Sequence, residues 1–398
     1  MIVEIAIAIF LGIIAGTFTG IAPGIHINLV ALLLFVSSTF LLKLTAPLVL
    51  AVFIISMAIT HSFLDFISGI FLGAPEESTA LAILPGHELL LKGKGYEAVK
   101  LTASGCIIGI FLLFIIVPLS IIILPPVYDY IKITIPFILI LSSLFLILRE
   151  KRWFWAFFLF MLSGILGIAV MNLSVIKQPL FPLLTGLFGT SMLLSSIKQK
   201  TKIPRQKITK TIINKKETAK TIFAGVISSF LCAFMPGLGA AQAAVLGNEI
   251  SGKISQKGFL ILLGIISILV TGLNFAALYI IDKPRSGTAI IVGKLLNEIT
   301  LSNLIIFGIV ALIAGVIAFF LSLFFAKIFV KNISKVNYSL VSMIVLIALV
   351  ALCIFISGWI SLLVLITATS IGLIAIETGT QKMHLMGCII LPVIFFLI

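Results

Sequence analysis

The chain has 398 residues, 61% of them hydrophobic and only 10% charged, with a formal net charge of +14 and a mean hydropathy of +1.33. Soluble globular domains carry about 25% charged residues, so a water-soluble fold is excluded and an integral membrane protein remains. The basic residues fall in short connections between apolar runs, without aromatic interleaving. That is the positive-inside pattern and not a nucleic-acid surface.

About 20 apolar residues in helix cross a bilayer. The runs here are continuous and do not alternate in period two, so the expected fold is an all-α polytopic membrane protein and not a barrel. In chain order the first half has runs near 2–22, 25–42, 46–73, 101–124, 133–148, 153–172 and 180–196. Ile2 to Gly20 has no basic leader and no small-residue cleavage pattern, and is expected to be retained. A polar segment follows. Lys198 to Lys220 holds nine Lys or Arg and one acid, Glu217, and is expected to be cytoplasmic. The second half has runs near 221–235, 238–248, 258–281, 286–297, 304–326, 340–356, 358–376 and 384–398. The chain thus divides into a first transmembrane repeat, 1–197, a basic linker, 198–220, and a second repeat, 221–398. Basic loops at Lys92 to Lys100, Arg149 to Arg152, Lys253 to Lys257 and Lys327 to Lys335 are expected on the same side as the linker. Runs 221–235 and 238–248 then form a hairpin open to the cytoplasm. Runs 2–22 and 25–42 form the matching hairpin, with the N-terminus outside. Cys106, Cys232, Cys353 and Cys388 have no paired spacing and are expected to be buried thiols.

Two motifs recur in the same order. "GIAPGIHINLV" (Gly20 to Val30) is echoed by "AFMPGLGAAQAAV" (Ala233 to Val245), and "PEESTALAI" (Pro75 to Ile83) by "PRSGTAIIV" (Pro284 to Val292). The prolines are 52 residues apart in the first half and 48 in the second. The order and spacing point to an internal duplication with inverted topology and broken helices or re-entrant hairpins at the Pro-Gly pairs.

Proline removes a backbone donor and glycine tolerates unusual conformations, so each pair interrupts its helix. A broken backbone survives in a bilayer only where protein or a water-filled cavity satisfies it. Free N–H groups and a positive dipole end then favour an anion. Pro23, Gly24, Pro236, Gly237 and Gly239 would let the backbone approach a substrate, with His26, Asn28 and Gln242 as side-chain ligands. A proline kink bonded by neighbouring helices reads the same way in sequence.

Ser78, Thr79, Ser286, Thr288 and Arg285 on the second motif pair, and Asn274 in an uncharged run, complete the substrate candidates. Arginine's planar fork suits a carboxylate or phosphate. Asp65, Glu76 and Glu77 are candidates for a coupling Na+ or H+, because intramembrane charge is costly and defaults to function. For Glu77 and Lys283 a position at the membrane surface reads equally well. His87-Glu88 starts a zinc motif, but Leu91 stands where its second histidine would be. His26, His61, His87 and His384 share no ligand spacing. No catalytic residue, metal site or cofactor is expected.

At these residues the sequence resembles the TctA-type large permease subunit of the tripartite tricarboxylate transporters, in an archaeal-like branch. The likeness rests on "GIAPGI", on "FMPGLGAAQAA" and on "GAPEESTALAILPGHELLLKGKGYEAVKLTASG" (Gly73 to Gly105). It implies a secondary transporter with a midplane site, carboxylate substrates and cation coupling. It also implies an extracellular binding protein and a small membrane subunit as partners. Glu76 and Glu77 depart from the family's small, neutral loop, and His26 from its usual glycine.

The expected function is a cation-coupled secondary transporter of a small organic anion, multi-pass in the cell membrane. A translocase for a lipid-linked phosphate is the alternative, since paired broken hairpins and an arginine serve a phosphate equally well. A membrane assembly protein without transport is a third reading. The expected partners are the lipid bilayer, the anion and a second copy of the chain, with no nucleic acid.

Overall fold

The computed structural model describes residues 1–22, 27–73, 83–176, 178–198, 203–208, 215–234, 240–252, 254–283, 286–333 and 338–397. Among them every regular element is helical: α1 Ile2–Ile21, α2 Ile27–Val36, α3 Ser38–Leu41, α4 Pro47–Ile67, α5 Ile83–Leu91, α6 Gly95–Arg149, α7 Trp153–Met171, α8 Leu180–Leu184 and α9 Ser191–Lys198. The series continues with α10 Lys215–Phe234, α11 Ala240–Ser251, α12 Gln256–Ile280, α13 Gly287–Leu296, α14 Leu301–Ile333, α15 Tyr338–Ser357, α16 Ser361–Thr378 and α17 Gly387–Leu397. Eight described helices are long and apolar enough to cross a membrane. The chain is an all-α, multi-pass membrane protein. All four cysteines are free and buried.

The helices stop where the sequence withdraws backbone support. α1 ends at Ile21, with Ala22 extended (φ −83°, ψ 110°), and α2 resumes at Ile27. α10 ends at Phe234 and α11 begins at Ala240. Helix ends therefore flank both Pro-Gly pairs, which themselves lie outside the described residues. α2, α5, α11 and α13 have 10, 9, 12 and 10 residues. At 1.5 Å per residue they rise about 13–18 Å, well short of a hydrocarbon core of about 30 Å.

Close packing fixes the directions of the long helices. α1 lies on α4: a Cβ at Gly12 would meet Phe53 and Ser56, one at Gly16 would meet Met57 and Thr60, and one at Gly20 would meet Leu64. Both numbers rise together, so α1 and α4 run parallel. α10 lies on α12 in the same sense, with Gly225 against Leu262 and Ile265. α6 runs parallel to α12, from Gly105 against Ile261 to Leu113 against Gly272. α14 runs parallel to α4, from Ser322 on the Phe63 carbonyl (3.4 Å) to Phe329 on Phe71. α14 opposes α6, with Gly308 near Phe114 and Gly315 on Ile110. The centre is thus two parallel pairs, α4 with α14 and α6 with α12, that run in opposite directions. α4 and α12 are its most enclosed members, 83% and 78% buried.

The polar connections gather at one end. Glu97 pairs with Lys257 (2.6 Å) and Arg149 with Glu249 (3.3 Å). Glu217 accepts from the Ser255 N–H. Gln256 donates to Pro85 O (3.1 Å) and to Glu88 (2.7 Å). Part of the linker, 203–208, is strapped to the α5–α6 turn: Lys207 N–H donates to Gly93 O (2.8 Å), and Gln206 accepts from Gly95 N–H (2.8 Å). From Lys215 onward the expected linker is already helix α10. Phe71, at the foot of α4, neighbours Gly95, so α4 runs toward this end and α12 away from it. α10 leaves this end at Glu217 and α11 returns to it at Glu249, while α1 and α2 open to the opposite end.

These contacts also explain α6. Gly95–Arg149 is helical over 55 residues, which would span about 82 Å if straight. Both of its ends pair with residues 249–257, a stretch no longer than about 29 Å even when extended. α6 therefore turns back on itself. Pro118, Pro125, Pro126 and Pro136 lie inside it, and each removes a donor from the ladder. The two runs expected at 101–124 and 133–148 are its two limbs. Sequence periodicity had no means of seeing two π-helical turns, Ser68–Leu72 after α4 and Thr185–Thr190 between α8 and α9.

Helices in lipid associate through small residues that let backbones meet. A Cβ on Gly264 of α12 would lie 2.1 Å from Thr102 O of α6, and one on Gly105 2.2 Å from Ile261 O. On Gly308 the nearest atom would be 3.6 Å away, in ordinary contact. Gly264→Ala is expected to destabilise by about 1–3 kcal/mol through overpacking. Gly308→Ala is expected to be neutral or slightly stabilising. Thermal unfolding of the two detergent-purified variants against wild type checks the contrast.

Candidate functional site

α4 carries the densest buried polar face near the first break. Ser56 donates to Ile9 O of α1 (2.8 Å). One turn on, Thr60 and His61 are buried, and His61 Nδ1 stands 3.0 Å from Thr19 Oγ1. One further turn brings Asp65, 1% exposed. A Cβ on Gly20 would lie 3.1 Å from the Asp65 N–H nitrogen, so Asp65 flanks the last turn of α1, immediately before the Pro23-Gly24 interruption. Helix spacing of four residues puts His61 and Asp65 on one face.

At the centre, Ser62 Oγ of α4 meets Thr271 Oγ1 of α12 at 3.3 Å, across 209 residues of chain. Pro75 and Pro284 are separated by the same interval (284 − 75). The register that aligns the two Pro-x-x-small-Thr-Ala motifs therefore aligns two side chains that touch. It also aligns Asp65 with Asn274, which is buried on α12. The register of Pro23 on Pro236 aligns Gly12 with Gly225, and their packing partners Phe53 and Ser56 align with Leu262 and Ile265 in the first register.

The second motif of the latter half is partly visible. Ser286 caps α13, its Oγ accepting from Ala289 N–H (3.2 Å) and lying 3.1 Å from Thr288 Oγ1. Thr288 is buried. α13 packs on α2 and α4, with Lys294 over the Phe35 ring of α2 at 5.5 Å. The structure thus packs α13, whose start carries Ser286 and Thr288, against the helices that carry Asn28 and Asp65. Asn28 lies in the first turn of α2 and Gln242 in the first turn of α11. Both positions place their residues where N–H groups lack intrahelical acceptors. Pro23, Gly24, His26, Glu76, Glu77, Ser78, Thr79, Pro236, Gly237, Gly239 and Arg285 lie outside the described residues. Lys283 is exposed.

An apolar cavity of about 210 Å³ opens between α4, α6, α12 and α14, lined by Ile59, Leu113, Pro118, Phe275 and Phe307 among others. No ionisable side chain lines it, so it suits hydrocarbon and not a carboxylate. Among the described residues no group of three metal-ligating side chains occurs.

The profile of the tripartite tricarboxylate transporter TctA family matches residues 6–387. An uncharacterised protein of Methanocaldococcus jannaschii is 34% identical over 399 residues, covering 98% of each chain. No solved structure matches the chain significantly.

Sequence patterns singled out neither Thr19, Ser62 and Thr271 nor a basic pair at the polar end. There Lys382, partly buried between α16 and α17, donates to Phe188 O and Ser191 Oγ (3.4 Å each). Burial pushes its pKa from the ordinary 10.5 down to about 8. Burial likewise lowers His87, with Lys382 adding to the effect against a bond to Ile70 O. A lysine with a depressed pKa binds fewer protons folded than unfolded, so stability rises with pH between the two values. Melting temperature is expected to rise from pH 8 toward pH 10, and Lys382→Met is expected to flatten that rise. Differential scanning fluorimetry of the two proteins across this range tests it. Parallel profiles would show that Lys382 is not the source.

Proposed function

The chain belongs to the tripartite tricarboxylate transporter TctA family, and on that premise we propose that it is the large permease of a cation-coupled secondary transporter for a small carboxylate. The two halves, 1–197 and 221–398, are read as inverted repeats joined by the basic linker 198–220. The observation that carries this reading is the Ser62–Thr271 contact between positions related by the motif interval. Its support is the opposite directions of α4 and α12 and the matched packing of α1 on α4 and α10 on α12. Discontinuous helices at equivalent positions of two inverted repeats mark a transporter's binding site.

In this reading the carboxylates rest against the first turns of α2 and α11, which offer free N–H groups and positive dipole ends. Gly24, Gly237 and Gly239 keep the backbone bare. Asn28, His26, Gln242, Ser78, Thr79, Ser286, Thr288 and Asn274 supply neutral hydrogen bonds, and Arg285 a bidentate grip. A polyanion cannot cross a low-dielectric interior unless its charge is offset, so a cation travels with it. Asp65, Glu76 and Glu77 are the acids that would hold that cation. An extracellular binding protein delivers substrate, and a small membrane subunit completes the complex.

Uptake of labelled citrate into proteoliposomes is the test. Wild-type protein is expected to accumulate it, and Gly24→Leu or Gly237→Leu to abolish uptake while remaining folded. Arg285→Lys retains charge but loses the fork. Loss of a charge-assisted bond of roughly 1.5–3 kcal/mol is expected to weaken citrate binding about ten- to a hundred-fold, read by calorimetry. Absence of both uptake and binding in wild type overturns the carboxylate assignment. Unchanged affinity in Arg285→Lys removes that residue from the site.

A further inference from the structure

The two registers let each residue of the α1–α4 face be compared with its counterpart on α10–α12. The match is close at the packing positions: Leu64 and Phe66 align with Leu273 and Phe275, and Gly16 and Gly20 with the small residues Ser229 and Ala233. It fails at several buried polar positions, Ser56 on Ile265 and Thr60 on Leu269 among them, and at three that lie together where α1 ends. Thr19 aligns with Cys232, His61 with Val270, and Asp65 with Asn274. All six are enclosed, Asn274 least so at 9% exposed. One half therefore buries an imidazole, a carboxylate and a hydroxyl where the other buries a thiol, an isopropyl group and an amide.

Resting on the transporter reading above, we propose that His61 and Asp65 form a proton-binding site, with Thr19 positioning the imidazole, and that this coupling function resides in the first half of the chain alone. Thr19 Oγ1 lies 3.0 Å from His61 Nδ1 and fixes the ring's orientation. Asp65 follows one turn along the same helix face and flanks the end of α1, so a proton held there lies beside the helix interruption that would hold the anion. Imidazole exchanges protons near neutral pH, whereas hard alkali cations select oxygen ligands. A proton bound on one side of the membrane and released on the other offsets one negative charge of the cargo in each cycle. Val270 and Asn274 exchange none, so the second half supplies no equivalent.

Among the described residues, the groups facing this stretch from its neighbours are few. α6 presents Cys106, whose thiol donates to Ser62 O (3.6 Å). α12 presents the Thr271 hydroxyl. α14 presents Ser322 on Phe63 O, with Lys327 and Lys331 exposed at its end. α13 carries the exposed Lys294, and α1 has no ionisable side chain beyond Glu4 and the terminus.

The variants for the test come from the protein itself. His61→Val and Asp65→Asn place on α4 the residues that α12 already packs at the matching positions, so both are expected to fold. With nitrogen-15-labelled histidine, four imidazoles report in the spectrum, and His61→Val assigns one of them. That signal is expected to titrate with pH and to move its midpoint in Asp65→Asn. In proteoliposomes, citrate accumulation driven by a pH gradient is compared with equilibrium citrate exchange. The ratio of the two is expected to fall on the order of ten-fold in either variant. A His61 signal that does not titrate, or one indifferent to Asp65→Asn, overturns the proposal. So does accumulation that follows a sodium gradient at fixed pH. If wild type neither exchanges nor accumulates citrate, the carboxylate reading falls, while the histidine titration still decides the proton site.

Discussion

Inside hydrocarbon no water drives helices together, so cohesion depends on how closely their backbones approach. The crossing of α4 and α12 depends on that constraint, and the rest of the molecule is arranged around it. Each of the two takes a glycine- or alanine-bearing helix on one side, α1 or α10. Each also takes a long helix from the opposite half, α14 or α6. Glycines 105 and 264 bring α6 and α12 to backbone contact, while Ala314, Gly315, Ala318 and Ser322 line the buried side of α14. Polar groups are affordable there because they bond within or across the helices, as Ser62 does with Thr271.

Much of this was legible in the sequence, because lipid punishes irregular backbone so heavily. Run boundaries and the gathering of the polar loops at one end follow from apolar length and lysine placement. The interruptions at Pro23-Gly24 and Pro236-Gly237 were visible as chemistry. The π-helical turns and the short helix α5 were not, since nothing in apolar periodicity separates a turn of 3.6 residues from a slightly wider one. His61 was set aside for want of ligand spacing. Its significance depends on Thr19, 42 residues away, and on comparison with Val270, which only the packing register makes meaningful. Lys382 carries no pattern in the sequence, and only its burial against Phe188 and Ser191 distinguishes it.

The polar end has its own logic. Glu97, 2% exposed, sits at the start of α6 and pairs with Lys257 at the start of α12, while Arg149 at the far limb of α6 reaches Glu249. These pairs tie four chain segments into one belt, to which the stretch 203–208 is laced by one backbone hydrogen bond and by the Gln206 side chain. Among the described residues most lysines and arginines outside the pairs are exposed, where charge costs little and biases the sidedness of the belt.

The exchange of partners between halves bears on biogenesis. α6 emerges from the ribosome long before α12, the helix it is shaped to meet, and α4 must wait still longer for α14. Until the second half has been inserted, the small-residue faces of the first have only lipid and the insertion machinery beside them. The central contacts are therefore of high sequence separation, a topology that folds slowly because distant segments must be brought together before they reward the closure. Maturation is expected to be a late, concerted docking of two pre-inserted halves. A truncation before α12 would leave the first half stranded in the bilayer, membrane-embedded yet unassembled, and exposed to quality-control proteolysis.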